Sequence, residues 1–477
     1  MSRAKPEVDR REALRLAMAG LGGLAAGVLP GLEAQAAITD PIPARVQKSS
    51  LPALELVDFS APPRTSDKRP FALLNFLYHA GDGTRRLFAN DSRGKIWLID
   101  RSSGAARLFL DLRRLRGSAF LFTSNQMGLR SFAFHPDFAR AGRPGYRKFY
   151  TISTETVASR PSGVRLFSGP FTPLFHDVLA EWKVYATDRS RVDPGYRREI
   201  LRIAQNKTDH NTDQIMFDPN AVPGTSQYGK LFIGIGDGGN NPQFTDPHYQ
   251  AQNRGRALGK VFCIDPLRQP DGRAYRVPAD NPFVGKSGYL PEIWALGLRH
   301  PQNLSFDPGG AGRLILTDIG QAHIEEVNLG IKGANYGWPL REGTFDTDRR
   351  DPTRLYPLPR DDAGKGFTYP VAQYDHDEGR AIAGGFVYRG RTVPALAGQY
   401  LFGDIVNGRV FHVPVSELRP GRQATIRELS FKQGGKAVTL RSLVNGVNGR
   451  VDLRFGQDED GEIYILTKQD GRIRKLR

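Results

Sequence analysis

The sequence predicts an all-β protein, a six-bladed β-propeller whose blades are four-stranded antiparallel sheets. A short strand signature recurs, in which a Gly, Arg or polar residue leads into alternating apolar positions. Successive signatures lie roughly 60 to 85 residues apart, enough for four short strands and their loops. Segments with helical periodicity are almost absent, and the chain contains 53 glycines. Radial closure of such blades leaves only short protected sheet edges. A large sandwich or two barrels is the alternative all-β prediction.

The strand signatures share this apolar alternation and often end in turns that contain Gly. The six signatures are RRLFAND at 85, RKFYTIS at 147, GKLFIGIGDGG at 229, GRLILTDIG at 312, GQYLFGDIVNGRVFHV at 398 and GEIYILTKQDGRIRKL at 461. Turns such as Asn407-Gly408 and Asp470-Gly471 favour a hairpin between neighbouring strands.

The first 36 residues resemble an export signal. Arg10 and Arg11 precede an apolar, glycine-diluted run from Leu14 to Leu32, and Ala34-Gln35-Ala36 has the form that signal peptidase cleaves. The paired arginines favour the twin-arginine route, with an ordinary secretory signal as the alternative. We therefore expect a periplasmic or secreted protein without a membrane span, because no later stretch reaches the roughly 20 apolar residues that a span needs. Residues 37–64 are predicted as a linker and residues 65–477 as the propeller.

Composition limits the possible partners and excludes an internal disulfide. The net charge of +17 would suit nucleic acid, but no run of five or more like charges appears, so nucleic-acid binding is not predicted. The one cysteine, Cys263, cannot form an internal disulfide and lies in the apolar stretch LGKVFCIDP. We expect it to be a buried strand residue.

Two short motifs point to ligands that their context excludes. GIGDGG satisfies the dinucleotide pattern G-x-G-x-x-G, but NNPQFTDP follows it, so we expect no helix whose N-terminus could hold a pyrophosphate. DEDGE at 458–462 lacks the spacing of a calcium loop, and Asp460-Gly461 is more simply a turn.

Polar residues at strand boundaries form the candidate site. Asp209 and His210 open one strand signature and Asp237 closes the next, so in antiparallel neighbours they meet at one end, where an aspartate can orient an imidazole base. Arg299 and His300 lie in a polar insert, where a guanidinium can face a developing negative charge.

The loop TDIGQAHIEEVNL offers oxygen ligands of the kind that suit Ca²⁺. Gly320 and Gln321 provide carbonyl groups, and Glu325 and Glu326 follow closely. All of these candidates also have a structural interpretation, because loop histidines, arginines after strands and adjacent glutamates often serve only packing, ion pairs or solvation.

Eight ordered blocks together resemble the soluble quinoprotein glucose/sorbosone dehydrogenases, a family that includes aldose sugar dehydrogenases and the propellers of hedgehog-interacting-like proteins. The resemblance covers roughly residues 65 to 477 and agrees with a six-bladed propeller. The blocks are NQMGLRSFAFHPDF at 125, DHNTDQIMFDPN at 209, YGKLFIGIGDGG at 228, LGKVFCIDP at 258, PEIWALGLRHPQNLSFDP at 291, KGANYGWP at 332, AGGFVYRG at 383 and DGEIYILT at 460.

The resemblance implies roles for the residues around His210. His210 matches the base that takes a proton from a sugar hydroxyl while hydride passes to pyrroloquinoline quinone (PQQ), and Asp237 matches its orienting partner. Asp209 and Gln126 match sugar-contacting positions. A neutral imidazole near its ordinary pKa can accept such a proton at neutral pH.

The resemblance also implies a cofactor set. Arg299 matches the arginine beside the reactive quinone carbonyl. Gly320 and Gln321 match positions whose backbone carbonyls hold an activating Ca²⁺, and Glu326 resembles a ligand of a second calcium. A bound divalent cation polarises the quinone.

Several positions depart from the family's pattern. The family's Arg-Asn-Pro is Arg299-His300-Pro301, and its Gly-Gly-Arg is Thr212-Asp213-Gln214. The expected cofactor lysine is Val406, with Arg409 nearby, and a paired Arg-x-Arg is reduced to Arg450. Losing two or three charge-assisted contacts at about 1.5–3 kcal/mol each would weaken binding of a tricarboxylate by orders of magnitude. His300, Arg409 and Arg450 are the replacements that we expect to hold the cofactor.

The sequence therefore predicts an exported PQQ-dependent dehydrogenase that oxidises a sugar, or a related polyol or aldehyde, and passes electrons to a soluble carrier such as a cytochrome. The alternative is a non-catalytic propeller that binds a carbohydrate or a protein. A lactonase-type calcium propeller is a third possibility, since propellers host all three functions.

Overall fold

In a computed structural model of the chain, residues 36–239, 250–348, 350–351 and 353–477 are described. Their regular structure is mostly β. Residues 37–477 form one unit. The predicted export signal lies outside the described residues except for Ala36, as does the stretch after GIGDGG, residues 240–249, for which no helix was expected. Neither of the short α-helices in the described ranges has the length and apolar character that a membrane crossing requires.

The strands before residue 300 are mostly five to eight residues long. They are β1 (Gln47–Lys48), β2 (Leu54–Ser60), β3 (Leu74–His79), β4 (Leu87–Asp91), β5 (Lys95–Ile99), β6 (Ala106–Asp111), β7 (Leu129–Phe134), β8 (Lys148–Glu155), β9 (Arg165–Phe167), β10 (Phe175–Val184), β11 (Val192–Gln205), β12 (Thr212–Phe217), β13 (Leu231–Ile235), β14 (Lys260–Ile264) and β15 (Ile293–Leu296).

The strands after residue 300 include more very short ones. They are β16 (Asn303–Phe306), β17 (Leu314–Asp318), β18 (Ile324–Leu329), β19 (Arg341–Glu342), β20 (Phe345–Thr347), β21 (Leu355–Tyr356), β22 (Ala372–Asp375), β23 (Ile382–Val387), β24 (Gln399–Asp404), β25 (Val410–Pro414), β26 (Arg427–Glu428), β27 (Phe431–Gln433), β28 (Lys436–Val438), β29 (Leu453–Gln457), β30 (Ile463–Thr467) and β31 (Arg472–Leu476). The helices are α1 (Leu112–Arg116) and α2 (Leu440–Val444), with short 3₁₀ turns at Gly117–Ala119, Val157–Ser159, Asp362–Lys365, Pro394–Leu396, Val415–Glu417 and Val447–Gly449.

The strands assemble into several sheets of mainly antiparallel pairs. The strand orders are β7-β8-β10-β11-β9, β12-β13-β14-β15, β16-β17-β18-β22, β1-β26-β25-β24-β23, the small β19-β20-β21 and the ten-stranded β28-β27-β2-β31-β30-β29-β3-β4-β5-β6. Each of the six strand signatures contains a strand, namely β4, β8, β13, β17, β24 or β30. The strands that the six signatures predict are therefore confirmed. Apolar alternation is a local signal, and each of these strands carries it.

The N-terminal strand β2 belongs to the same sheet as the C-terminal strand β31. The two pair antiparallel, with Leu56 opposite Leu476, and β2 also pairs parallel with β27. Residues 37–64, predicted as a linker, therefore contain β1 and β2, and the sheets begin before residue 65. A strand whose partner lies at the other end of the chain has no local pairing signal, which is why this segment resembled a linker.

The interior is packed with aliphatic and aromatic side chains from the sheet faces. Cys263 lies in β14 with 1% of its surface exposed, as predicted for this thiol. In the sheet β12-β13-β14-β15, Thr212 at the start of β12 pairs with Ile235 at the end of β13. The loops before β12 and after β13 therefore leave the sheet at one edge, and this edge carries the candidate site.

Candidate active site

His210 and Asp237 meet where β12 begins and β13 ends. His210 Nδ1 lies 2.7 Å from Asp237 Oδ1, and the other carboxylate oxygen accepts a hydrogen bond from Trp338 Nε1 at 2.9 Å. The backbone N–H of Asp237 donates to the carbonyl of Arg299 at 2.8 Å. The carboxylate is thus fixed on two sides, and it holds one ring nitrogen of the histidine.

The backbone around His210 is tight. His210 has a φ of 51°, in the left-handed region that few non-glycine residues adopt, and its N–H donates to Gln126 Oε1 at 2.9 Å. A Cβ on Gly236 would lie 2.2 Å from the His210 carbonyl oxygen. The close approach of the two loops therefore requires glycine at position 236, and Gln126 fixes the histidine backbone.

The surroundings keep the imidazole neutral. Burial, with the positive charge of Arg299, lowers the pKa of His210 to about 4, against the opposing effect of Asp237. Burial works against ionisation of Asp237 as well, but its contact with His210 lowers the pKa of the carboxyl below the ordinary value. A neutral imidazole whose Nδ1–H donates to Asp237 presents its Nε2 lone pair as a base.

Arg299 and His300 are held by one carboxylate that the sequence did not single out. The backbone N–H groups of both residues donate to Asp318, at 2.8 Å and 2.6 Å. The Arg299 guanidinium donates to Gln321 Oε1 from Nε at 3.0 Å and Nη2 at 2.6 Å, and to the Ile319 carbonyl at 3.0 Å. Its charge is therefore fixed beside the loop that carries the predicted calcium ligands.

His300 stacks on His210 and contacts a second aspartate. The two imidazole rings lie 4.7 Å apart between centroids with 22° between their planes. His300 Nε2 lies 2.5 Å from Asp213 Oδ2, and the other Asp213 oxygen accepts hydrogen bonds from Nε (2.7 Å) and Nη2 of Arg130. Burial would raise the pKa of Asp213, but Arg130 and His300 hold it well below its ordinary value. The departures from the family pattern at positions 213 and 300 thus contact each other.

The loop predicted to bind calcium is organised by Glu342. Its Oε1 accepts hydrogen bonds from the backbone N–H groups of residues 321, 322, 323 and 324, at 2.8 to 3.0 Å. Gly320 lies in this tight turn, where a Cβ would come 1.7 Å from the Ile324 carbonyl oxygen. The carbonyl groups of Gly320 and Gln321 are thus carried on a turn that is fixed from within.

Glu326, the predicted ligand of a second calcium, is buried and bonded to protein groups. Its carboxylate accepts from the Gly343 N–H at 2.6 Å and from Asn328 Nδ2 at 2.9 Å, and burial raises its pKa to about 7. Across the described ranges, no group of three or more His, Cys, Asp or Glu side chains is placed to hold a metal ion. Calcium binding therefore stays a prediction that rests on backbone carbonyls.

Two predicted cofactor cations are paired with carboxylates of the protein. Arg409 pairs with Glu378 and, at 2.7 Å, with Glu428, while Arg450 pairs with Asp452 at 2.7 Å. The structure thus brings together His210, Asp237, Arg299, His300 and Gln126, with Asp209 next to His210 and exposed to solvent. It engages Arg409 and Arg450 in separate ion pairs.

Sequence reasoning missed four residues that shape this site: Arg130, Asp318, Trp338 and Glu342. Arg130 and Trp338 lie in two of the family blocks, and Asp318 lies in the loop TDIGQAHIEEVNL. Their roles depend on contacts with residues that are distant in the chain. The signals that were available are the two departures from the family pattern, at Asp213 and at His300.

The fold and the site define a sugar-dehydrogenase-like protein, and comparison with known proteins places it in a family. The chain belongs to the glucose/sorbosone dehydrogenase family, whose model matches residues 75–475. The fold resembles the PQQ-bound form of an aldose sugar dehydrogenase from Streptomyces coelicolor, with a TM-score of 0.55 and 18% identity over 89% of this chain and 99% of the other.

Curated relatives include proteins from outside bacteria. HIPL1 protein of Arabidopsis thaliana is 29% identical over 83% of this chain and 60% of its own length. The human Hedgehog-interacting protein is 24% identical over 82% of this chain and 48% of its own length. The chain thus spans only about half to three-fifths of these longer relatives.

Proposed function

We propose that this protein is an exported, PQQ-dependent dehydrogenase that oxidises an aldose or a related polyol or aldehyde. The observation that carries the proposal is the neutral imidazole of His210, oriented by Asp237 at 2.7 Å and placed beside the fixed guanidinium of Arg299. Membership of the glucose/sorbosone dehydrogenase family supports the same chemistry.

We also propose that the sheets form the six four-stranded blades of a propeller. The ten-stranded sheet is joined between β29 and β3 by one parallel pair, Gly456 with Leu77. Dividing it there yields β3-β4-β5-β6 and β29-β30-β31-β2 as two blades. Four further sheets supply β7-β8-β10-β11, β12 to β15, β16-β17-β18-β22 and β23 to β26. Each proposed blade has one of the six signatures in its second strand, which supports this division.

His210 would act as the general base. Its Nε2 accepts the proton of the sugar hydroxyl that is oxidised, and Asp237 stabilises the imidazolium that results. Gln126 and Asp209, next to His210, would bind other hydroxyl groups of the sugar. The positive charge of Arg299 favours negative charge that develops nearby during the reaction. When bound, PQQ supplies the acceptor for the hydride.

The reacting end of the site fits such a cofactor better than the carboxylate end. A neutral base and a guanidinium would lie beside the quinone, and the carbonyl oxygens of Gly320 and Gln321 suit a Ca²⁺ that would polarise it. Arg299 would hold its reactive end. Arg409 and Arg450 would have to leave their carboxylate partners to hold its carboxylates, and Val406 offers no charge. We therefore expect binding that is weaker than a site with free cations would give.

Export and electron transfer complete the proposal. The paired arginines and the cleavage-like sequence at the N-terminus support export to the periplasm or medium. A soluble carrier such as a cytochrome would then collect the electrons. No nucleic-acid partner is proposed, because the arginines are scattered along the chain.

The first experiment is titration of the purified, metal-stripped protein with PQQ and Ca²⁺, followed by dye reduction with a panel of aldoses. We expect PQQ binding that requires Ca²⁺ and dye reduction that requires a sugar. His210→Ala should abolish dye reduction. His412→Ala, which removes an imidazole bonded to Gln399 and Ser49, controls for the loss of a histidine as such. Absence of PQQ binding at micromolar concentration would contradict the dehydrogenase.

A second candidate function is a non-catalytic propeller that binds a carbohydrate or a protein. The ion pairs of Arg409 and Arg450, together with Val406, favour it, because they leave the carboxylates of a quinone with few partners. The similarity to HIPL1 and to the human Hedgehog-interacting protein also supports it. Calorimetry with sugars in the absence of PQQ distinguishes the two, since a binding module keeps its affinity without the cofactor.

A further inference from the structure

We propose that Arg130, Asp213 and His300 form one positioning unit. In this unit, Arg130 and Asp213 hold the imidazole of His300 against the ring face of the base His210. This inference rests on the proposed function of His210. It gives His300 a different role from the cofactor contact that the family pattern suggests, and it assigns roles to Arg130 and Asp213.

The unit is a continuous chain of hydrogen bonds in the interior. Arg130 binds one oxygen of Asp213 through two guanidinium nitrogens, and His300 Nε2 meets the other oxygen at 2.5 Å. All three residues are at most 2% exposed. A buried carboxylate is tolerated only when its oxygens are paired, and here each oxygen has a charged or hydrogen-bonding partner.

The position of Arg130 is itself fixed. Asn75 Nδ2 and Asn90 Nδ2 donate to its carbonyl oxygen, at 2.6 Å and 3.2 Å, and its Nη1 donates to the Asn125 carbonyl at 3.0 Å. These contacts come from neighbouring strands and from the loop before β7. Asp213 therefore meets a guanidinium that has little freedom to move.

The orientation of His300 follows from these contacts. Asp213 is ionised and can only accept, so Nε2 of His300 carries the proton of their hydrogen bond. The backbone N–H of His300 is fixed separately by Asp318 at 2.6 Å. With both ends of the residue held, the plane of the ring is determined, and this plane lies 22° from that of His210.

His210 needs a constraint of this kind. Its ring makes one side-chain hydrogen bond in the described part of the chain, from Nδ1 to Asp237, and a single bond leaves the ring free to swing about that contact. A stacked ring at 4.7 Å between centroids opposes the swing, because this is the spacing at which aromatic faces attract. Asp237 thus fixes the edge of the imidazole and His300 fixes its face.

The two departures from the family pattern are therefore coupled. An imidazole at 300 without a carboxylate at 213 would lose its orientation. A carboxylate at 213 without the imidazole would be a buried charge with one oxygen lacking its partner. We expect the effects of substitution at the two positions to be strongly non-additive.

The test compares Asp213→Asn, His300→Asn and the double variant with a matched control, Asp307→Asn. Asp307 is equally buried, at 2% exposed, and pairs with Arg389 through two hydrogen bonds, but it is not part of the site. The readouts are ¹⁵N and ¹H NMR of histidine-labelled protein, melting temperature, and kcat and KM for dye reduction.

In the wild type we expect a far-downfield imidazole proton from His300 Nε2–H. Asp213→Asn should remove it and shift the ring resonances of His210, and should lower kcat at least about 10-fold with little change in KM, since a displaced base slows the chemical step. Asp307→Asn should lower the melting temperature and leave the His210 resonances in place. The double variant should lose less stability than the sum of the single variants.

The proposal would be overturned if Asp213→Asn left the His210 resonances unchanged and only lowered the melting temperature, as Asp307→Asn does. Arg130 and Asp213 would then form an ion pair with a structural role alone. The NMR readout needs neither PQQ nor turnover. Failure of the dehydrogenase proposal would thus appear as absent dye reduction in the wild type, while the coupling between positions 213 and 300 would still be measured.

Discussion

The protonation state of His210 decides which chemistry its position allows. Burial and Arg299 hold its pKa at about 4, well below the ordinary value of 6.5. The imidazole is thus a weak base in the resting site and is unprotonated at neutral pH. A base of this kind gains strength only when substrate binding brings negative charge beside it or moves Arg299 away.

We expect the stability of the protein to fall as pH decreases from about 6.5 to about 4 in a manner that depends on His210. The folded pKa lies below that of an unfolded histidine, so the unfolded chain binds more protons in this window and acid favours it. Melting temperatures of the wild type and of His210→Asn, measured from pH 4 to pH 7, test this. The variant should lose less stability on acidification, and parallel curves would contradict the assignment.

Asp237→Asn should lower kcat by about 100-fold or more, because an amide carries no charge that could stabilise an imidazolium. Its NH2 group would also have to face either His210 Nδ1 or Trp338 Nε1, where only an acceptor fits. KM should change less than kcat. Asp280→Asn, which alters an ion pair with Lys230 and Lys332, serves as the control and should leave kcat unchanged. Equal losses in the two variants would show that Asp237 is not an orienting residue.

For single residues, the sequence predicted which residues belong to the site better than it predicted which contacts they make. His210 and Asp237 were predicted to meet because they flank two antiparallel strands, and they do. The partner of His300 was not foreseen, since Asp213 lies 87 positions away in the chain. Likewise, the ion pairs of Arg409 follow from packing that no local pattern reveals.

The strands β12 and β13 place the site through their register. Thr212 opposite Ile235 brings the preceding and following loops together, and Gly236 allows the loops to touch. The strength of the local alternation explains why the six signatures were found. The short strands β19 to β21 carry too little alternation to be recognised. The strand β2 was missed because its partners β27 and β31 lie near the other end of the chain.

Gly236→Ala should destabilise the protein by roughly 2 kcal/mol or more and impair the site, because the new Cβ would lie 2.2 Å from the His210 carbonyl oxygen. Gly364→Ala is the control, since a Cβ there has no neighbour within 4 Å and the backbone needs no positive φ. Denaturant unfolding and PQQ titration of both variants measure the two effects. Equal stability of the two variants would show that the loops can separate at no cost.

Over the whole molecule, the one cysteine is a probe of cooperative unfolding. Cys263 is buried in β14, and burial raises its pKa to about 12. We expect no reaction with a thiol reagent in the native state and complete reaction in guanidinium chloride, with a rate that follows unfolding detected by tryptophan fluorescence. Reaction that precedes the fluorescence change would instead reveal local opening of the sheet β12-β13-β14-β15.

The pairing of β2 with β31 has a consequence for biosynthesis. Roughly 400 residues separate these strands, so at about 5 to 20 residues per second the ribosome needs on the order of 20 to 80 seconds to deliver the partner that β2 awaits. Until then, β2 presents an unpaired edge to its surroundings. The molecule can therefore adopt its complete hydrogen-bonding pattern only after β31 has been synthesised.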